Sequence, residues 1–442
     1  MFRSISFLVF TFFFITVSSQ EDSSKISLQF KELIKEHEKN IKELYVYRGA
    51  SLDWLKTGSI NEEDLFRTVL PMYHKKVGIL TYTHRLDTLY VNLLSGNYNY
   101  KERRIHISAD DLQEKVNQVY LMFSSSFLNR APKERGSKPS NLKRLTKKSK
   151  ASFRLLNNIL LPVDLGLETF DHLIIVPTFN IATLPFAAFK MGEEYLIDLM
   201  SYSIAPNLFE LMLSNEQNKV KHNLNYRELS YFWDKALFVS NPQYPINLDW
   251  DFPDLPGAKD EVNNIINLTE PIDFKEFEGR HAIKDSILKE ICEYDLIYFA
   301  THGISNSDSP MDHSFLVLAD NHSEKSYLSL REIMNTRKKC NLKADLVVLS
   351  ACQTGLGRSH QGGVIGLARA FQIAGANHVL MSLWNIDDQE TGTIMKMFFE
   401  EMKTGGPLMP HGALRNAILK YKSEINDDPK YWAAFSVFGV PY

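Results

Sequence analysis

Cysteine is scarce in this chain: three residues in 442, Cys292, Cys340 and Cys352. That excludes a disulfide framework as the source of stability. Charge of one sign is missing too. A net charge of −3 gives no global attraction to nucleic acid or anionic membranes. Metal and phosphate motifs are absent. There is no Cys-x-x-Cys and no His-Glu-x-x-His, which argues against zinc. No glycine-rich loop ends in Gly-Lys-Ser/Thr. Gly355-Leu356-Gly357 lacks the helix-opening glycine of a dinucleotide fingerprint. Ser350 lacks the Gly-x-Ser-x-Gly elbow of a serine hydrolase. Neither a metal nor a cofactor is expected. No internal repeat is visible, so a solenoid is excluded.

Long apolar runs are also missing, apart from one at the start. Arg3 precedes Ile5 to Val17, and Val17-Ser18-Ser19 offers small residues at a cleavage position. The stretch is 13 residues long, short of the roughly 20 that span a bilayer. Residues 1–19 are therefore expected to be a signal peptide, and the protein to be exported, periplasmic or secreted. An anchor kept by an uncleaved leader is the alternative. Export implies an oxidising compartment. Cys292 and Cys340 either pair there, leaving Cys352 free, or are simply buried as small hydrophobes.

What is present is a 44% hydrophobic chain with alternating strand and helix patterns. Ser24 to Tyr47 has amphipathic helical spacing within an N-terminal segment, residues 20–75. From Lys76, Val77–Thr83 and Thr88–Leu94 read as a hairpin around Arg85-Leu86-Asp87. Asp110 to Ser126 reads as a helix. Residues 131–150 carry eight Lys/Arg against Glu134 alone, with Pro132, Gly136 and Pro139, and read as an exposed loop leading into a helix near Ser152. His172–Pro177 is a buried strand. Gly257 to Leu268 is helical. Strands at Leu296–Ala300, Asp345–Leu349 and His378–Ser382 alternate with helices at Gly363–Ala374, Asp388–Met402 and His411–Glu424. Such alternation predicts an α/β fold, a mostly parallel sheet flanked by helices. Trp384 and Trp432 are expected in the core.

Ligand sites of such sheets lie at the carboxyl ends of the strands. Two of these strands end on reactive side chains: one runs into Thr301-His302-Gly303, the other into Ser350-Ala351-Cys352. The cysteine follows the histidine by 50 positions, the spacing of caspase-type proteases. A cysteine nucleophile and a histidine acid-base could together cleave a peptide bond. The backbone N–H groups of Gly303 and Cys352 are the candidate oxyanion donors.

The surrounding motifs carry a resemblance. They are Ala300-Thr301-His302-Gly303, Leu349–Gly355, Gly366–Phe371, Ala374-Gly375-Ala376, Ser382–Asp388, Trp432–Phe435 and Phe438–Pro441. Upstream, Val176-Pro177, Leu184–Ala188 and Leu255–Ala258 match as well. The chain resembles the CHAT domain, a caspase-like and separase-like cysteine peptidase fold, over about residues 76–442. The resemblance implies that His302 and Cys352 are the catalytic pair. It also implies a non-catalytic, pseudo-peptidase-like half (76–231) packed on a caspase-like catalytic half (232–442). The implied activity is that of a cysteine endopeptidase acting on a protein or peptide, latent until activated. A catalytically silent interaction module on the same fold is the alternative.

Three features depart from the family pattern. No helical repeat array precedes the domain, so substrate docking or activation would call on a separate repeat protein or other partner. Many members act inside cells. The loop after the cysteine reads Ser359–Gly363, where relatives often place an acid. In caspase-like folds the neighbourhood of Asp387 and Asp388 helps to build the pocket for the residue before the scissile bond. One of this pair is expected to cap the next helix and the other to face the pocket, favouring a basic residue.

Overall fold

β-branched and aromatic runs build one large mixed sheet. The computed structural model describes residues 31–37, 39, 76–96, 99–124, 133–134, 145–208, 211, 233–245, 250–306, 310–319, 326–352, 366–404 and 409–441. Thirteen strands join among them. They are β1 (Val77–Arg85), β2 (Thr88–Ser95), β3 (Asn99–His106), β4 (His172–Val176), β5 (Ser201–Ile204), β6 (Lys235–Pro242) and β7 (Asp273–Gly279). β8 (Leu296–Ile304), β9 (Phe315–Val317), β10 (Tyr327–Ser329), β11 (Leu346–Cys352), β12 (His378–Ser382) and β13 (Phe435–Phe438) follow. The order across the sheet is β7-β6-β8-β11-β12-β13-β5-β4-β1-β2-β3, with β9 and β10 extending from β8.

The β7-β6-β8-β11-β12 stretch is wholly parallel. Parallel neighbours need long crossovers, and helices supply them. The helices used below are α1 (Ala109–Ser124), α2 (Leu145–Leu160), α3 (Pro256–Thr269), α4 (Leu330–Thr336), α5 (Leu367–Ala374), α6 (Asp388–Thr404) and α7 (His411–Glu424). All nine residues of β8 are buried, as expected for a strand covered on both faces. Its side chains alternate between helices. Tyr298 meets Phe399 of α6, with ring centroids 6.0 Å apart, while Phe299 meets Phe371 of α5 at 5.7 Å. Each fully buried aromatic or aliphatic side chain there stabilises by about 1.5–3 kcal/mol. Trp384 and Trp432 are fully buried, in line with the sequence reading.

The strands of residues 76–231 (β1–β5) and of residues 232–442 (β6–β13) occupy opposite ends of this sheet. They meet at β13–β5, where Phe438 pairs with Ile204. The β1–β2 turn is two residues, Leu86 and Asp87, both at positive φ (45° and 55°). That is the turn geometry matching strand twist in tight hairpins. β3 was not anticipated, because Lys101-Glu102-Arg103-Arg104 shows no apolar alternation. Among the described residues it is the last strand of the sheet, where charged side chains disfavour further strand addition.

The basic segment needs correction. Helix α2 starts at Leu145, inside the 131–150 stretch expected to be a loop. Its lysines are good helix formers, and no proline or glycine follows Pro139 before residue 160. Lys133–Glu134 pairs with Trp250–Asp251 as a two-residue ladder, and residues 135–144 lie outside the described residues. The predicted leader also lies outside them, as does most of the 20–75 segment. Residues 31–37 are helical, with Leu33, Ile34 and His37 buried. Among the described residues no helix is long and apolar enough to cross a membrane.

Of the two alternatives for Cys292 and Cys340, the structure has the pair: they form a disulfide, Cα–Cα 6.2 Å. Cys292 sits in a short turn before β8, and Cys340 precedes β11. The bond therefore ties together the amino-terminal approaches to the two strands that end at His302 and Cys352.

Candidate active site

β8 and β11 are parallel neighbours from Leu296↔Leu346 to His302↔Cys352. The two sequence-predicted residues are direct register partners at the carboxyl ends of adjacent strands. A strand alternates with a period of two, so positions 348, 350 and 352 share a face, as do 298, 300 and 302. That face is covered by α3 and α6, as the contacts of Tyr298 show: its hydroxyl donates to Glu261 of α3 at 2.6 Å, and its ring meets Phe399.

His302 is fully buried. Its ring packs against Tyr244 and Phe252, with centroids 4.7 and 5.8 Å away. Nε2 lies 2.6 Å from the Pro253 carbonyl oxygen. A carbonyl only accepts, so Nε2 carries the proton, and in the neutral ring Nδ1 holds the lone pair. Among the described residues Nδ1 has no hydrogen-bond partner. Burial pushes the imidazole below its ordinary pKa, partly offset by the Pro253 carbonyl and the Asp254 carboxylate. The ring is thus a neutral base with a defined tautomer.

Gly303 continues β8 and is the register partner of Leu316 in β9. Thr301 donates its hydroxyl to the Val317 carbonyl at 2.5 Å, fixing the strand end beside the histidine. Residues 353–365, including Gly355 and the Ser359–Gly363 loop, lie outside the described residues.

Asp387 and Asp388 have different surroundings. Asp387 Oδ1 accepts from the Gln389 amide at 3.1 Å, a cap at the start of α6. Asp388 lines a cavity of about 30 Å³ together with Glu261, Ala258, Ala300, Ser350 and Ser382. Ala300 and Ser350 are register partners two residues before His302 and Cys352, roughly 7 Å along the strands. The cavity therefore adjoins the pair on the same face of the sheet. Gly257 makes this approach possible, since a Cβ there would lie 2.9 Å from that of Asp388.

Glu261 was missed in the sequence, although its signal was present. Ala258, Glu261, Val262 and Ile265 follow helical spacing, which puts a carboxylate on the buried stripe of α3. The supporting groups Pro253, Tyr244 and Phe252 had no sequence signal.

A profile of the CHAT domain family matches residues 150–440. The chain belongs to the CHAT domain family. The match leaves β1–β3 and α1 outside it, although those elements share the sheet. Tetratricopeptide repeat protein 28 of Homo sapiens is 24% identical over 301 residues, which is 61% of this chain and 12% of that relative. The counterpart from Mus musculus matches equally, at 24% over 301 residues. This CHAT protein thus spans about an eighth of the length of the curated relatives it matches. Among solved structures, separase in the Saccharomyces cerevisiae separase–securin complex superposes with a TM-score of 0.54. Identity is 13%, over 86% of this chain and 30% of separase. That likeness shows the fold: a caspase-like α/β sheet with flanking helices.

Proposed function

We propose that this CHAT protein is a cysteine endopeptidase, with Cys352 as nucleophile and His302 as acid and base. The observation that carries the reading is the His302↔Cys352 register pairing at the ends of two parallel strands. The Cys352 thiol gives its proton to Nδ1 of His302, and the sulfur attacks the carbonyl carbon of a peptide bond. Backbone N–H groups of Gly303 and Cys352 stabilise the oxyanion. The C–N bond breaks as the imidazolium protonates the leaving amine. Water, deprotonated by the same imidazole, then hydrolyses the thioester and restores both groups. Asp388 sits where a basic side chain before the scissile bond would be received, while Asp387 caps α6.

Export is part of the proposal. It is supported by the leader-like residues 1–19 and by the Cys292–Cys340 bond, since disulfides persist in oxidising compartments. The substrate is a protein or peptide. A partner protein that activates the enzyme is consistent with the fold's occurrence in a separase–securin complex.

Two observations favour a second reading, an interaction module without catalysis. The curated relatives are named for tetratricopeptide repeats, and the His302 ring has no exposed surface. The experiment uses residues 20–442 and a peptidyl acyloxymethyl ketone. Labelling that requires both Cys352 and His302, lost in Cys352→Ala and His302→Gln, supports the enzyme. No labelling, or labelling unchanged in Cys352→Ala, supports the module.

A further inference from the structure

The polar face of β1–β3 carries a cavity that the dyad does not use. Its volume is about 250 Å³, and it lies between those strands and the 31–37 helix. β1 stands five strand positions from β11 in the sheet, so the cavity is separate from the His302–Cys352 site. Thr83 pairs with Tyr90 and Tyr90 with Arg104, while Asn92 pairs with Glu102. Alternate residues of three strands therefore share this wall. The same alternation divides the charged run of β3. Lys101 Nζ donates to the Leu165 carbonyl at 2.9 Å and Arg103 pairs with Asp164, away from the cavity. Glu102 and Arg104 line it.

Most polar groups on this wall satisfy one another. Arg104 Nε donates to Glu102 Oε1 at 2.7 Å. The Tyr100 hydroxyl lies 2.8 Å from Asn92 Oδ1 and 3.1 Å from Glu102 Oε2. Arg85 is the exception. Its guanidinium sits over the Tyr90 ring, 4.7 Å from the centroid. Nε is shut off from solvent and has no hydrogen-bond partner, and among the described residues no carboxylate pairs with Arg85. A buried donor without an acceptor is costly, so this one marks a place for an acceptor from outside the chain. The helix side of the cavity presents Glu32 and Glu36, one turn apart. Neither has an ion pair among the described residues. The open charges are thus separated, a cation on the sheet and carboxylates on the helix. Leu33 and Leu86 add apolar surface between them.

We propose that this cavity binds a free α-amino acid, with its carboxylate on Arg85 and its ammonium on Glu32 and Glu36. A carboxylate matches the planar guanidinium fork, which the Tyr90 ring already orients. A simple anion would face the two helix carboxylates, and a simple cation would face Arg85. A zwitterion meets both. The volume falls below the roughly 300–1,000 Å³ of pockets for drug-sized ligands, which suits one amino acid rather than a peptide. Such a ligand bridges the 31–37 helix and the β1–β3 wall, so it stabilises the folded chain by mass action. The proposal is independent of the peptidase reading above.

The test is calorimetric titration of the 20–442 protein with each standard L-amino acid, backed by thermal melts. The tightest binder is then compared with its carboxamide and its N-acetyl derivative, each of which lacks one charge. At least one amino acid is expected to bind at a single site and to raise the melting temperature. Both derivatives should bind about tenfold or more weakly. Arg85→Gln, and Glu32→Gln combined with Glu36→Gln, should each weaken the parent amino acid to the same degree. If Arg85→Gln does not fold, the two derivatives decide, because they are measured on the unaltered protein. The inference is overturned if no amino acid binds, if either derivative binds as tightly as its parent, or if folded Arg85→Gln binds as well as the unaltered protein. None of these outcomes bears on Cys352 labelling, which tests the peptidase reading separately.

Discussion

His302 and Cys352 occupy the same register position on adjacent parallel strands. Fifty residues separate them in sequence, and all of the crossover between them returns the chain to one level of the sheet. The same strand pair is tied at its other end by Cys292–Cys340. The pair's geometry therefore depends on the register of β8 against β11, which is set by buried apolar side chains and supported by a covalent bond.

Removing the disulfide should cost stability more than alignment. The bond closes a loop with a sequence separation of 48, for which chain entropy gives about 4 kcal/mol. Cys292→Ser with Cys340→Ser is expected to lower the urea midpoint accordingly. At low denaturant, labelling of Cys352 should remain within a few-fold of the wild-type rate. A midpoint unchanged by the double substitution would contradict the estimate.

Acid should destabilise the fold before ordinary carboxylates titrate. His172 and His411 are buried with ring centroids 5.4 Å apart, and His378 lies 5.4 Å on the other side of His411. Burial pushes His172 down to about 3, and burial with the two neighbouring histidines pushes His411 well below its ordinary value. Depressed values mean that the unfolded chain binds protons first. Their contribution to stability is complete above 6.5 and is lost as the pH falls. Glu261 has the opposite sign. Its raised value favours the folded state below about 4.5 and loses that contribution as the pH rises through 7, which offsets one histidine. His37 and His302 are depressed by burial in the same sense, so the expected net effect is a loss of stability as the pH falls from 6.5 to 5. Urea midpoints at pH 7.5 and 5.5 measure it, and equal midpoints would refute it.

Two glycines should respond in opposite directions. Gly257→Ala places a methyl 2.9 Å from the Asp388 Cβ, so α3 and α6 must separate at the pocket. A loss of about 1–2 kcal/mol is expected. Gly392, within α6, would put its Cβ no closer than 3.9 Å to Glu261. Gly392→Ala should therefore gain up to about 1 kcal/mol from helix propensity. Thermal melts of the two variants, side by side, check both signs.

Much of the fold was legible because its strands are buried on both faces. Continuous apolar runs at 296–300 and 346–349 mark such strands without ambiguity, and α7 falls on His411–Glu424 as read. β3 and β7 were invisible for the opposite reason. Both lie at sheet edges, where Lys101–Arg104 and Lys275-Glu276 are tolerated and the pattern looks like loop. In the site, residues placed by strand ends could be found from strand patterns. Groups delivered by distant loops could not: the Pro253 carbonyl and the Tyr244 and Phe252 rings reach His302 from a segment whose sequence carries no periodicity. Asp387 and Asp388 were separable only in three dimensions, since adjacent residues at a helix start face different ways.

The most direct measurement is the pH dependence of Cys352 alkylation, with and without His302. Cys352 is the one cysteine of the three outside the disulfide, so iodoacetamide reports on it alone. An ordinary thiol ionises near 8.5, and a paired imidazole lowers that value. The account predicts a rate profile with its midpoint well below 8.5 in the 20–442 protein, moving up toward 8.5 in His302→Gln. Identical profiles in the two proteins would show that the register partners do not act as a pair.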